Sequence, residues 1–259
     1  MQRISNPRTL VLLIVLVICL AVVSNLLQEP AGEAEESDVA AEIAPYVVFT
    51  VGPLEVTSTV VYTWAMMLLL GVGAYLLGRN LKPRPGLVQN LLEWVIEAIE
   101  KLIREMVGVE DTAIFLPVVG TLAFFIGSAN LIGLLPGLRS PTPDINTPLA
   151  MALVVFCTVP YFGIRTRGLW GYLKHYVEPI FLMLPIEIAS EIARTFSLTF
   201  RLFGNILGEE IIISILFIVM PLFVPVPMML FSIFTGLLQA YIFTLLTCVY
   251  IGGAIQAHQ

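Results

Sequence analysis

Long apolar runs alternate along this chain with short clusters of charge or proline. Val56–Gly78 carries no charge and ends at Arg79, Lys82 and Arg84. Such a run is long enough to cross a bilayer, and basic residues at its end place that exit in the cytoplasm. Gly86–Met106 has a different pattern. Leu92, Val95, Ile99, Leu102 and Met106 recur at helical spacing on one side, while Glu93, Glu97, Glu100, Lys101 and Arg104 occupy the other. Glu97/Lys101 and Glu100/Arg104 stand in the favourable i,i+4 order. This predicts an amphipathic surface helix along the cytoplasmic face.

Thr112–Leu138 and Ile145–Ile164 are again uncharged and of spanning length. The proline-rich stretch between them, PGLRSPTPDINTP, predicts an outer loop. Arg165, Arg167 and Lys174 return the second run to the inside. From Pro185 to Pro221 there are 35 intervening residues without proline. As one helix they reach about 50 Å, against roughly 30 Å of hydrocarbon. After Pro225 and Pro227, 30 further uncharged residues reach about 45 Å. Strong tilt, or a course partly in the membrane plane, accommodates that mismatch.

Near the N-terminus, Thr9–Gln28 is an uncharged run of twenty residues preceded by Arg3 and Arg8, either a first membrane helix or a cleaved signal. Its long apolar core and the lack of an immediate small-x-small cleavage site favour a retained helix. The acidic stretch Glu29–Glu42 follows. The fold class predicted is an all-α polytopic membrane protein. It has five or six membrane helices, the last two long and strongly tilted, and an amphipathic surface helix. The basic exits put both termini in the cytoplasm, with Glu29–Glu42, the Pro141 loop and Pro221–Pro227 outside.

Composition agrees. Of 259 residues, 58% are hydrophobic and 12% charged, with a mean hydropathy of +0.93. Too little polar surface is present to coat a soluble domain of this size. The net charge of −6 is concentrated in Glu29–Glu42. Cys19, Cys157 and Cys248 stand singly in apolar segments, and the only histidines are His175 and His258. Neither a disulfide framework nor metal-ligand spacing is visible. Phosphate-cradling glycine motifs are absent too, so no cofactor, metal or directly bound nucleotide is expected, and no nucleic acid.

The candidate chemistry lies on the first long helix. Glu187, Glu191, Arg194, Arg201, Asn205 and Glu209 are separated by 4, 3, 7, 4 and 4 positions. They form one narrow polar stripe, flanked by Ser190 and Ser197, with Glu210 pointing away. On the last helix Ser232, Thr235 and Gln239 share a spacing of 3 and 4 beside Gly236, a small residue that allows close approach. An ionisable stripe across a membrane signals a wet path or a polar partner surface. Arg201 has no i,i+4 acid: Glu191 and Glu209 lie about 15 and 12 Å away along the axis. Arg194 is one turn from Glu191 and within pairing reach of it or of Ser190.

SLTFRLFGNILGEE, ANLIGLLPG, PTPDINTPLA and LLQAYIFTLLTCVYIGGAI together resemble the a subunit of the membrane sector of F-type ATP synthases, from about Pro45 to the C-terminus. The resemblance implies a non-catalytic, ion-translocating stator in the bacterial inner membrane. Residues 1–44 would form an apolar segment with an acidic outer linker, and residues 45–259 the membrane domain. Its partners would be a ring of c subunits, b-type peripheral stalk subunits and the rest of the synthase. Arg201 stands at the family's essential arginine, Asn205 at its companion and Gln239 at the polar position facing it. Glu187 and Glu210 match acidic positions of the ion access channels. Glu191, Arg194, Ser197, Glu209, Ser232 and Thr235 are secondary candidates. Some relatives place a histidine where this chain has Ser232, so a histidine–carboxylate relay is not expected. The segment before Pro45 is additional to the common core. The ion would be the proton, the commoner in the family, or sodium; ring ligands decide it. A secondary transporter would instead show inverted repeats with broken helices, which are not visible. An assembly subunit with a docking stripe would keep ion-driven synthesis when Arg201 is neutralised.

Overall fold

The computed structural model describes residues 47–51, 54–79, 81, 83, 86–133, 140–177, 183–219 and 225–256. A short antiparallel hairpin of β1 (Val47–Val51) and β2 (Leu54–Thr57) precedes six helices. These are α1 (Ser58–Arg79), α2 (Leu87–Val107), α3 (Leu116–Ile132), α4 (Asn146–Val177), α5 (Met183–Val219) and α6 (Pro225–Gln256). The hairpin is new relative to the sequence reading, which began a span at Val56. Its β-branched residues Val47, Val48, Thr50, Val51, Val56 and Thr57 suit an extended backbone, and α1 starts two residues later.

Four of the helices are long and apolar enough to cross a membrane: Ser58–Arg79, Asn146–Thr166, Leu184–Val219 and Pro225–Ile255. The expected polytopic helical membrane protein is present, with fewer clear spans than the five or six expected. The described residues provide four such helices and the shorter apolar α3, of 17 residues. The Thr9–Gln28 segment lies outside them. The run Thr112–Leu138 yields a helix over Leu116–Ile132; a turn occupies its start, and residues 134–138 lie outside the described ones. Phe115 and Leu116 donate backbone bonds to the Thr112 carbonyl. Just past Ile132 a Cβ on Gly133 would lie 2.7 Å from that of Ser140, so only glycine fits against that residue.

The last two helices are continuous over 37 and 32 residues, about 55 and 48 Å. Helix α4 is broken at Gly168, whose φ of 76° and ψ of 160° separate the membrane-length part from the segment ending at Val177. That break comes three residues after Arg165, just past the end of the membrane-length part at Thr166.

The core lies where α2, α3, α4, α5 and α6 converge. Ile103, Val119, Ile126, Ala152, Leu202, Phe243 and Ile251 are each fully buried. By contrast Trp64, Met67, Tyr75, Phe200, Phe231, Phe234 and Tyr241 are exposed, which suits a surface solvated by lipid rather than water. Helix α2 has the predicted amphipathic face, with Ile99 and Leu102 buried and Leu92, Val95 and Met106 partly so. Its C-terminal half also forms part of the bundle core through Ile103 and Val107, so it is more than a surface element. Gly108 closes it in the left-handed region, φ 73°, donating to the Arg104 carbonyl. On its exposed side the ion pair observed is Lys101–Glu105, 3.9 Å, rather than either predicted pair.

Two ends of the bundle are distinguishable. At one, the Thr59 hydroxyl donates to Asp144 Oδ2 at 2.6 Å, joining the start of α1 to the start of α4. The other oxygen, Oδ1, accepts from the Asn146 amide at 3.1 Å and its side-chain nitrogen at 2.9 Å. This caps α4. At the opposite end Arg79 donates to the Tyr75 hydroxyl at 3.4 Å, and Arg165 to that of Tyr161 at 3.0 Å. Tyrosine beside arginine suits the headgroup layer, and the basic residues make this the inner end.

Two expected outcomes follow from this packing. Ile145→Cys, exposed in the outer loop, should react with an impermeant thiol reagent added outside cells. Glu110→Cys, exposed beyond α2, should react only after permeabilisation; the reverse pattern would invert the topology. For stability, a Cβ on Gly252 would collide with the carbonyl oxygen of Met106 and come 3.2 Å from Val107 Cα. Gly252→Ala should therefore destabilise the subunit by about 1–3 kcal/mol. Gly253→Ala meets nothing within 4 Å and should leave the thermal unfolding midpoint of the solubilised complex unchanged.

Candidate functional site

The polar stripe is carried by α5 as one uninterrupted helix, so its spacing converts directly into position. Leu198, Leu202 and Ile206 turn inward and are buried, which leaves the Arg201 side on the outer flank. Arg201 is exposed, and among the described residues no hydrogen bond or ion pair reaches it. Phe200 beside it is exposed and stacks on Phe196, with ring centroids 6.3 Å apart. A permanent cation thus stands in an apolar surface, the costly arrangement that a membrane protein retains for a partner.

Toward the inner end the stripe is paired. Arg194 Nη1 lies 3.5 Å from Glu191 and Nη2 lies 3.8 Å from Glu187. The Arg194 guanidinium also sits 5.5 Å from the centroid of the Tyr250 ring on α6. The Glu191 pairing matches one of the two partners read for Arg194 from sequence; the Glu187 and Tyr250 contacts arise only in three dimensions. Ser190 is partly buried and Ser197 exposed.

Toward the outer end the polar groups are enclosed. Asn205, Glu209 and Glu210 are partly buried, and Glu209 Oε1 is a buried oxygen without a protein partner. On α6, Ser232 and Gln239 are 6% and 5% exposed. Their Oγ and Nε2 atoms likewise lack partners. Thr235 is occupied, its hydroxyl donating to the Phe231 and Ser232 carbonyls at 3.2 Å. Gln239 and Arg201 are not joined by a hydrogen bond.

Asn130 on α3 completes this region and was not singled out from the sequence. Its Nδ2 donates to the Gly236 carbonyl at 3.0 Å, while its Oδ1 is buried without a partner. The available signal was a single asparagine in an otherwise apolar helix. Gly236 serves this contact: a Cβ there would lie 2.9 Å from that of Asn130. The close approach the glycine permits is thus between α6 and α3, not beside the arginine. Ser232, Gly236 and Gln239 share one face of α6, so three buried polar atoms without protein partners flank the α3–α6 contact. Each would cost about 1–3 kcal/mol if it met only apolar atoms. A seam that carries them is suited to water or a passing ion.

The site is therefore divided. A paired acidic group occupies the inner end, an enclosed polar seam the outer end, and an exposed arginine the interval. Arg201 is 14 positions from Glu187 and 8 from Glu209, about 21 and 12 Å along the axis. Among the described residues no group of three or more potential metal ligands occurs.

Comparison with known proteins places the chain in a family. The family model described as ATP synthase A chain matches residues 60–252. ATP synthase subunit a 2 of a Bradyrhizobium species is 47% identical over 207 residues, covering 80% of this chain and 92% of that one. ATP synthase subunit a of Albidiferax ferrireducens is 45% identical over 210 residues, 80% and 90% of the two chains. That of Moorella thermoacetica is 40% identical over 216 residues, 83% and 99%. This chain belongs to the ATP synthase A chain family as an F-type subunit a, a multi-pass protein of the bacterial inner membrane.

Proposed function

We propose that this subunit translocates ions as the stator of a rotary synthase, coupling their flow to rotation of a c ring and so to ATP synthesis. The observation that carries the reading is the exposed Arg201, without a partner among the described residues, between two polar regions at opposite ends of the bundle. Glu187 and Glu191 serve an inner half-channel. Glu210 and Glu209 serve an outer one, with Asn130, Ser232 and Gln239 in its wall. The ion is the proton, with sodium the alternative. The chain itself makes or breaks no covalent bond. It works with the c ring, a b-type peripheral stalk and the rest of the synthase, and its membrane domain is residues 45–259.

The physics requires the division. A ring carboxylate travelling through lipid is neutral, because an ionised one is expensive there. Opposite Arg201 the ionised form is favoured, since guanidinium keeps its charge at any physiological pH. The ion leaves by one half-channel, and another is loaded from the second after rotation. A cation attempting the direct route between half-channels meets the arginine's positive charge. Helices α5 and α6, too long to stand upright, tilt across the ring and present this face to successive subunits. Ion gradients supply the drive: each elementary charge crossing 100 mV contributes about 2.3 kcal/mol.

Reconstituted vesicles containing the intact complex test the proposal. Passive ion flux and ATP-driven pumping are measured in one preparation with Arg201 intact and replaced. Loss of pumping with retained flux supports the stator role; unchanged pumping defeats it.

A further inference from the structure

Two arginines share the stripe on α5, and their surroundings differ. Arg201 is exposed without a partner among the described residues. Arg194 touches Glu187 at 3.8 Å and Glu191 at 3.5 Å, and lies 5.5 Å from the Tyr250 ring centroid. Those separations exceed the roughly 2.7–2.9 Å of a tight charge-assisted hydrogen bond. The guanidinium therefore neutralises the acids without locking them. Glu187 and Glu191 stand at i and i+4 on one face, so without Arg194 they would be adjacent like charges. Paired carboxylates with free oxygens attract hard divalent cations such as calcium and magnesium.

We propose that Arg194 is the built-in counter-ion of the inner half-channel and determines its selectivity against divalent cations. Its guanidinium stands against one oxygen of each carboxylate, in the place where a divalent ion would bridge them. Three charged groups then sum to one negative charge, enough to draw a monovalent cation inward and too little to hold a divalent one. The Tyr250 ring, a face that attracts guanidinium, ties Arg194 to α6 and keeps it over both acids. The proposal rests on the reading that Glu187 lines the inner access path, and it adds to that reading a role for Arg194 and Tyr250.

The test uses membrane vesicles carrying the complex, stripped of its nucleotide-hydrolysing part, with the inner face outward and ion flux driven by a diffusion potential. In the parent, about 1 mM calcium should leave flux unchanged. In Arg194→Gln it should reduce flux by roughly half or more, the occupancy expected for a weak carboxylate site with a Kd near 10⁻³ M. Arg194→Lys should restore calcium resistance. Adding Glu191→Gln to Arg194→Gln should also restore it, which loss of packing alone would not. Calcium resistance of Arg194→Gln, with no radioactive calcium bound, overturns the counter-ion role. Calcium binding without block counts instead against the access-path reading beneath it. Tyr250→Leu keeps all three charges but frees the guanidinium. It should show a smaller calcium sensitivity, and it decides the question should Arg194→Gln fail to assemble. Full resistance in Tyr250→Leu would then overturn the proposal.

Discussion

Arg201→Ala is expected to abolish ion-driven ATP synthesis and ATP-driven pumping while passive ion flow persists or rises. A buried carboxylate that loses its only counter-charge costs about 3–5 kcal/mol. At 1.36 kcal/mol per decade, the ionised ring carboxylate opposite the stator should then fall by roughly a hundredfold or more. Discharge at the crossing point stops, and rotation with it. In the proposed reading the two access paths are lined by other residues, among them Glu187, Asn130 and Gln239, so they should stay open. Arg201→Lys keeps a cation but loses the planar fork, and a desolvated ammonium can shed its proton; it too should fail to couple. An arginine with a purely architectural role would give the opposite result, poor assembly with normal coupling in the surviving complexes. The exposure of Arg201 and its lack of a partner among the described residues argue against that role, because removing it breaks no contact within those parts of the subunit.

The second large effect concerns the half-channels. Glu187→Gln and Glu210→Gln should each slow ion movement about tenfold, equivalent to some 1.4 kcal/mol, with assembly intact. Glutamine keeps the shape and loses the ionisable group. The two positions are 23 residues apart on one helix, about 35 Å, so a single cavity does not hold both. Paths in series add their resistances. The double variant should therefore be about twice as slow as either single one, not a hundredfold slower than the parent. Multiplicative slowing would mean that the acids act together on one step. Unchanged flux in both single variants would remove them from the path. Flux is read from the decay of an imposed ion gradient in vesicles of matched subunit content.

The stripe was legible in the sequence because α5 is a regular helix. A period of 3.6 converts spacings of 4, 3, 7, 4 and 4 into one face whatever surrounds it. The Arg194–Glu191 pairing follows from the same local rule. Helix α2 was legible for a related reason: its charged and apolar residues segregate, and the buried positions Ile99 and Leu102 fall on the side the pattern selects. The apolarity of the spans and the placement of Arg79 and Arg165 at their inner ends required only composition and order.

What sequence could not supply was the rotation and register of one apolar helix against another. Helices α1, α3 and α6 are apolar nearly all round, so no face is marked as inward and many registers bury similar surface. Tertiary packing decided that Asn130 meets Gly236, that Gly252 lies under the end of α2, and that Tyr250 covers Arg194. It also decided that α3 ends at Ile132, where Gly133 meets Ser140, and that a hairpin precedes α1. The sequence by itself determined a membrane-spanning helical chain and one polar stripe with an arginine lacking a local counter-charge. Those properties depend on residue type and helical period alone. Which end of that stripe is enclosed, and that Arg201 stays exposed beside it, were decided by contacts among residues up to 106 positions apart, which no local periodicity encodes.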